Sequence, residues 1–487
     1  EILPLPDGSF MLAGISDSNI SGDKSRNSQG GDDFWLLLID ADGNRIWDKT
    51  IGGSFPDRLR AATRTADGGY LLAGTSNSSV SGDKTVPSNG VQDYWVVRID
   101  AVGNILWQRS YGGTASEFAV AIKTTPDGGF VVGGYSSSNI GGNKTTPSRG
   151  SFDFWIVRGD ANGNQLWDRT FGSSDADLLS DLAITPDGGV VLAGSSGPTM
   201  DGDRSEPPLG LGDCWIIKTD PNGNKIWDRT IGDTFPDGCR SIKPIPGGGY
   251  MMLAVTQTPV NQPVSTRSLN DYWLVQLDED GTVIRDLQVG GNNDDRPVEL
   301  TITSSSNILL AGHSLSPVSD DKTAPLIGGY DFWAIMVEAN NTFHGRVTAC
   351  EGQSISGAHV NLFDESFNLL QTDGTMGSYY THGNVPNGTY YLSAVHPNQL
   401  TTWYGDVTSM TQAVPLTVSM ANPLVNADIT MRPGQEPAHV SVSSSPGAAE
   451  LYLNFHLSMA ELTPTVIDVN EVSDRGFSSS TLQRLPR

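Results

Sequence analysis

Six copies of an Asp-x-Trp triplet govern what this chain can fold into. They stand at Asp33–Trp35, Asp93–Trp95, Asp153–Trp155, Asp213–Trp215, Asp271–Trp273 and Asp331–Trp333, at intervals of 60, 60, 60, 58 and 60 residues. A period held this closely means one supersecondary unit copied in tandem, each copy burying its apolar face against the next. Within a period four strands are expected. Phe34–Ile39 is a continuous apolar run, as in a strand covered on both faces. Asp40-Ala41-Asp42-Gly43-Asn44 then turns the chain, and a second strand carries Trp47 and ends at Gly52-Gly53. Ala61–Thr65 and Tyr70–Gly74, joined at Asp67-Gly68-Gly69, give the third and fourth. A polar loop of about 17 residues leads to the next triplet, longer than most connections in compact domains.

Four antiparallel strands repeated in tandem imply an all-β, six-bladed β-propeller of 60-residue blades over residues 1–343. The chain opens on Ile2–Pro6 and Phe10–Gly14, which match the third and fourth strands, and Asp331–Val337 supplies a last first strand. The two chain ends are therefore expected to share one composite blade and close the ring, with Thr342–Val347 as the candidate for its missing strand.

The period stops near Gly345, and two small β-sandwich (Ig-like) domains are expected at 344–433 and 434–487. The repeat, DYWVVRIDAVGNILWQRSYGG followed by TTPDGGFVVGGYSSSNI, resembles the tandem propeller repeats of secreted Bacteroidetes-type proteins. GRVTACEGQSISGAHVNLFD and VPNGTYYLSAV resemble a carboxypeptidase-regulatory-like or Cna-B-like sandwich, a module that usually acts as a rigid spacer. AELYLNF at Ala449–Phe455 and TVIDVN at Thr465–Asn470 resemble a degenerate type IX secretion C-terminal sorting domain. Ser443–Pro446 and Glu471 depart from that pattern. These resemblances imply export and a place at the cell surface or outside the cell.

Composition narrows the function classes. Of 487 residues, 55 are Asp or Glu and 30 are Lys or Arg, a formal net charge of -25. Such a field repels nucleic-acid phosphates and anionic lipid, so neither is expected as a partner. No run of about 18 apolar residues exists, so membrane insertion is not expected. The three cysteines, Cys214, Cys239 and Cys350, form no zinc spacing and no disulfide framework. Cys214 takes the aromatic slot of Phe34, Tyr94 and Phe154, and Cys239 the slot of Leu59 and Phe118. The chain begins at Glu1 inside a repeat, without a signal peptide, and reads as a processed or partial product.

Little chemistry attaches to the motifs. All seven histidines lie at or after His313, beyond most copies of the repeat, and no GxSxG, HExxH or P-loop pattern occurs. No cofactor is expected. Calcium is weighed at Asp40, Asp42, Asp278 and Asp280, which resemble the start of an EF-hand loop, but Ile51 and Val289 stand where its closing Glu belongs. Trp47, Trp107, Trp167 and Trp227 read as packing anchors between blades, with sugar stacking the minority alternative. The long loops carry a repeated cation, Lys24, Lys84, Lys144, Arg204 and Lys322. These form the candidate binding residues, a crown for an anionic polymer or a neighbouring subunit, against the plainer reading of solvated Asp-Lys pairs.

The expectation is a non-catalytic extracellular or cell-surface protein, structural or adhesive, able to assemble into a filament by strand addition. Its partners would be copies of itself or an extracellular polymer or protein. A glycan- or protein-binding propeller module is the alternative, and a polysaccharide-acting enzyme ranks below both.

Overall fold

Each Asp-x-Trp triplet opens a seven-residue strand, from Asp33–Ile39 to Asp331–Val337. In the second, third and fourth copies all seven residues are buried. That accounts for the unbroken apolar run, since both faces of the strand meet a neighbouring sheet. A computed structural model describes residues 1–432 except 246–247, 258–269, 304–306, 338–340, 351, 376–377, 386–387, 398 and 419–423. Beyond 432 it describes the strands Val440–Val442 and Leu451–Leu453.

The residues fall into two units, Glu1–Glu338 and Ala339–Arg487. In the first, antiparallel sheets follow one another in chain order, the organisation of β-propeller blades. Sheet two is typical: Asp57–Arg64, Tyr70–Ser76, Asp93–Ile99 and Ile105–Tyr111 pair consecutively. Sheets one to five have four strands each and span residues 2–51, 57–111, 117–171, 177–231 and 238–289. Sheet six, 295–337, has three.

This frame corrects the expected blade. Ile2–Pro4 pairs with Phe10–Ser16, which pairs with Asp33–Ile39, so among the described residues the chain's two ends share no sheet. Thr342–Val347 lies within Asn341–Ala349, which pairs inside the second unit. The long loop joins two strands of one sheet in full register, Ser76 opposite Asp93, whereas the short Gly-Gly segment crosses between sheets. Successive sheets abut through their first strands, Asp57–Arg64 on Glu117–Thr124 and so onward. Among the described residues sheet six does not abut sheet one in this way, and the series stays open.

The hairpin Asp-x-x-Gly-Asn is a turn held by its own carboxylate. Asp100 Oδ1 accepts from the amides of Val102 (3.0 Å) and Asn104 (2.8 Å), and its Oδ2 accepts from the Asn104 side chain. Gly103 takes φ 82°, where an L side chain is strained. Only the amide of the middle residue is used, so Asp42, Val102 and Asn162 serve equally.

The second unit packs two sheets over one apolar core of Phe343, Val347, Leu362, Tyr380, Leu392 and Ile429. Its central strand Asn341–Ala349 pairs antiparallel with Tyr379–Val385 and parallel with Leu424–Asn426 and Ile429–Met431. Of the sorting-like tail, Val440–Val442 and Leu451–Leu453 form a hairpin. Thr465–Asn470 and the remainder lie outside the described residues.

Candidate functional site

Among the described residues, the loop that follows the second strand in sheets one to four and six is the most regular non-sheet feature. In sheet two the loop chain folds back at Ser81–Lys84, whose main chains exchange bonds of 3.0 and 2.9 Å around Gly82 at φ 57°. Asp83 is then tied to the sheet before it: its amide donates to Gly52 O at 2.8 Å, and its carboxylate accepts from Arg26 at 3.0 Å. The pair Arg149–Asp203, at 2.7 Å, repeats this clasp between the third and fourth loops. The second and fourth loops are thus fastened to their predecessors.

The cations of these loops sit inside the fold. Lys24, Lys84, Lys144, Arg204 and Lys322 are all buried, between 1 and 4% exposed. Lys84 Nζ donates to Ser76 Oγ, Ser78 O and Ser88 Oγ, each at 2.8 Å, and lies 5.8 Å from the Trp95 ring centre. Lys24 donates to Ser28 Oγ and Ser16 Oγ, Lys322 to Ser316 O, and Lys144 to Thr170. Arg204 forms an ion pair with Asp213 at 2.9 Å, both side chains fully enclosed. Burial holds the Lys24 and Lys84 ammonium groups below the usual lysine range and brings Lys144 down to about 8. A crown of solvated cations is therefore corrected. The Ser-rich sequence around Lys24 and Lys84 supplies the acceptors that draw them inward, and Lys24, Lys84, Lys144 and Arg204 each tie their loop to a strand of the sheet.

What the loops do expose is aliphatic. Ile20, Val80, Ile140, Met200 and Val318, each four residues before its pinned cation, are all more than half exposed. Sequence reasoning passed over them because it weighed the charged residue beside them. Their spacing of 60, 60, 60 and 118 residues was the available signal.

Beneath the loops, a pair of buried acids marks each junction between sheets. Asp33 and Asp57, Asp93 and Glu117, and Asp213 and Asp237 stand 24 residues apart and are enclosed. A side chain on Gly112 would lie 2.2 Å from Asp93 Oδ1 and 2.6 Å from Glu117 Oε2, so the glycine of the repeat is the space these carboxylates occupy. Asp33 Oδ1, Asp57 Oδ1, Asp213 Oδ1 and Asp237 Oδ1 have no hydrogen-bond partner. Burial, aided by the neighbouring acid, raises Asp33 and Asp237 to about 6. Recurrence at successive junctions makes these pairs parts of the frame.

The tryptophans and turns complete the junctions. Trp107 Nε1 donates to Ala161 O at 3.1 Å, and Arg109, over the Trp107 ring, donates to Asn162 O at 2.9 Å. The Trp167 and Trp227 rings lie against Gly223 and Gly281 of the following hairpin, and the Trp47 ring against Gly103. The carboxylates weighed for calcium are turn groups. Asp40 binds Asn44 and Asp42, and Asp278 accepts from Asp280 and Thr282. Among the described residues no three His, Cys, Asp or Glu side chains converge as a metal set. Cys214 and Cys239 are buried thiols and Cys350 is exposed.

No protein-family model matches the chain. A curated relative, the regulatory protein FlaEY of Caulobacter vibrioides, is 28% identical over 202 residues, which are 39% of this chain and 21% of that protein. The chain thus spans about a fifth of that relative's length. Among solved structures, puromycin hydrolase in its S511A form is similar at 12% identity and a TM-score of 0.38, covering 93% of this chain and 57% of that one. The WD40 domain of Neurospora crassa Pan2 is similar at 10% identity and a TM-score of 0.34, covering 63% and 84%. The expectation of a chain without catalysis is corrected here. A hydrolase stands among the similar structures. At these scores no particular activity is carried over.

Proposed function

We propose that this chain is a structural or adhesive protein of the cell surface or the extracellular space that engages a protein partner through its repeated loops. The observation that carries the reading is the row Ile20, Val80, Ile140, Met200 and Val318. Each is an exposed aliphatic side chain on a loop pinned by a buried cation. Apolar side chains held at regular intervals on stiff loops lose little conformational freedom on contact, which favours a partner with apolar sockets among polar ones. Around the pinned cations the loops carry no aromatic ring for sugar stacking, Phe152 and Tyr330 standing at the far ends of their loops next to the following strand, which favours protein over glycan.

The finer architecture belongs to the same proposal: six sheets acting as propeller blades, an Ig-like second unit serving as spacer, and a degenerate type IX sorting tail. The resemblance of the repeats to secreted Bacteroidetes-type proteins supports the location. Capture of partners from a cell-surface extract, by the wild-type chain and by Val80→Asp/Ile140→Asp, tests the reading. Bound protein should fall at least tenfold in the variant while its melting temperature stays within a few degrees of wild type. Equal capture by a folded variant overturns the proposal.

A further inference from the structure

One contact recurs between successive sheets. The residue after the Asp of each triplet plugs into the next sheet, over its tryptophan and into the space left by a glycine on its second strand. Phe34 meets Trp95 at 5.0 Å, Tyr94 meets Trp155 at 4.9 Å, Phe154 meets Trp215 at 5.2 Å and Tyr272 meets Trp333 at 5.2 Å. A Cβ on Gly74, Gly134, Gly194 or Gly312 would lie 2.4–2.9 Å from the plug's ring or hydroxyl atoms. The exception follows the same rule. Where Cys214 replaces the ring, Ala254 replaces the glycine and the opposing Trp273 is left half-buried.

The two ends of the series carry the two halves of this contact, each unused. On sheet six the plug Phe332 is 78% exposed, whereas Phe34, Tyr94, Phe154 and Tyr272 are fully buried. Ala334 and Met336, on the same face, are exposed with it, while Trp333 between them is turned toward sheet five and buried. On sheet one the phase is reversed. Phe34, Leu36 and Leu38 are buried against sheet two, and Trp35, Leu37 and Ile39 are left partly open. The glycine of that socket, Gly14, has nothing within 4 Å of where its Cβ would be.

We propose that sheet six of one chain docks on sheet one of a second copy, Phe332 entering the socket formed by Gly14 and Trp35. The occupant is fixed by continuity with the junctions already present, since a sheet of this repeat is what such a face takes five times within the chain. This association stacks faces, unlike strand addition at an edge, and it stands independently of the loop surface.

The test uses the full chain with light scattering and analytical ultracentrifugation over ~1–200 µM. Wild type should associate with concentration. Phe332→Asp and Gly14→Leu should each stay monomeric, at least tenfold weaker in self-association. Gly14 has free space and no left-handed φ, so its variant keeps the fold. An equimolar mixture of the two variants should form a 1:1 dimer, because one intact plug and one intact socket remain. A wild type that is monomeric throughout, or a Phe332→Asp that associates like wild type, overturns the proposal. So does a Gly14→Cys/Phe332→Cys double variant that cross-links only within one chain, which would mean closure on itself. Loss of partner capture through the loops would leave these outcomes unaffected.

Discussion

The same side chain in the same register is worth very different amounts at two places in this fold, and that contrast can be measured. Phe154 and Phe332 both follow the Asp of a triplet. Phe154 is fully buried on Trp215, and Phe332 is 78% exposed. Phe154→Ala removes the ring from the junction of sheets three and four and leaves a cavity against Trp215 and Gly194. The lost transfer energy and the cavity together cost about 3–5 kcal/mol. In a unit of this size that lowers the melting temperature by roughly 5–15 °C. Phe332→Ala removes mostly solvated surface and should stay within about 0.5 kcal/mol of wild type. Thermal unfolding followed by circular dichroism, with each protein dilute enough to be monomeric, gives both values. Equal losses would refute the reasoning, for they would mean that Phe332 is covered within a single chain.

The compensation at the fourth junction makes a double-mutant cycle. Cys214→Phe alone should destabilise by about 1–3 kcal/mol through overpacking against Ala254, and adding Ala254→Gly should recover most of that; strict additivity of the two changes would count against the plug-and-socket account. Asp237, held near 6 by burial against an ordinary 3.8, keeps its proton in the folded chain when the unfolded chain has released it. Its contribution to stability is therefore complete below about pH 4 and lost as pH rises through about 6. Asp237→Asn should accordingly gain on wild type from pH 4 to pH 7 in melting temperature, and a difference independent of pH would dismiss this sign.

Much of the frame could be read from the chain alone, because its causes are local. The alternation of tryptophan and continuous apolar residues in Asp93–Ile99 marks a strand covered on both sides, and Asp100 and Gly103 form their turn within five residues. Two features escaped for the opposite reason. The grouping of strands into sheets depends on whether a 16-residue loop or a five-residue segment crosses between layers, and both readings leave the same strands in the same order. The burial of Lys84 depends on hydroxyls of Ser76 and Ser88 and a carbonyl of Ser78, gathered by the fold around one ammonium group. A lysine among serines in a polar loop looks solvated until that geometry exists. The carboxylate pairs were hidden likewise, each acid having a separate explanation as a turn or strand-opening residue.

The offset between the sequence period and the sheet has a consequence for how such a chain can vary in length. A sheet takes two strands from before a triplet and two from its start, so a cut at any loop residue and a rejoin at the equivalent residue 60 positions on restores a whole sheet. The new neighbours meet through the same ring, glycine and hairpin as the old. Sheet number is then adjustable in single steps without a mismatched seam, and only a change other than a whole period, such as the 58-residue interval, has to be absorbed in a loop.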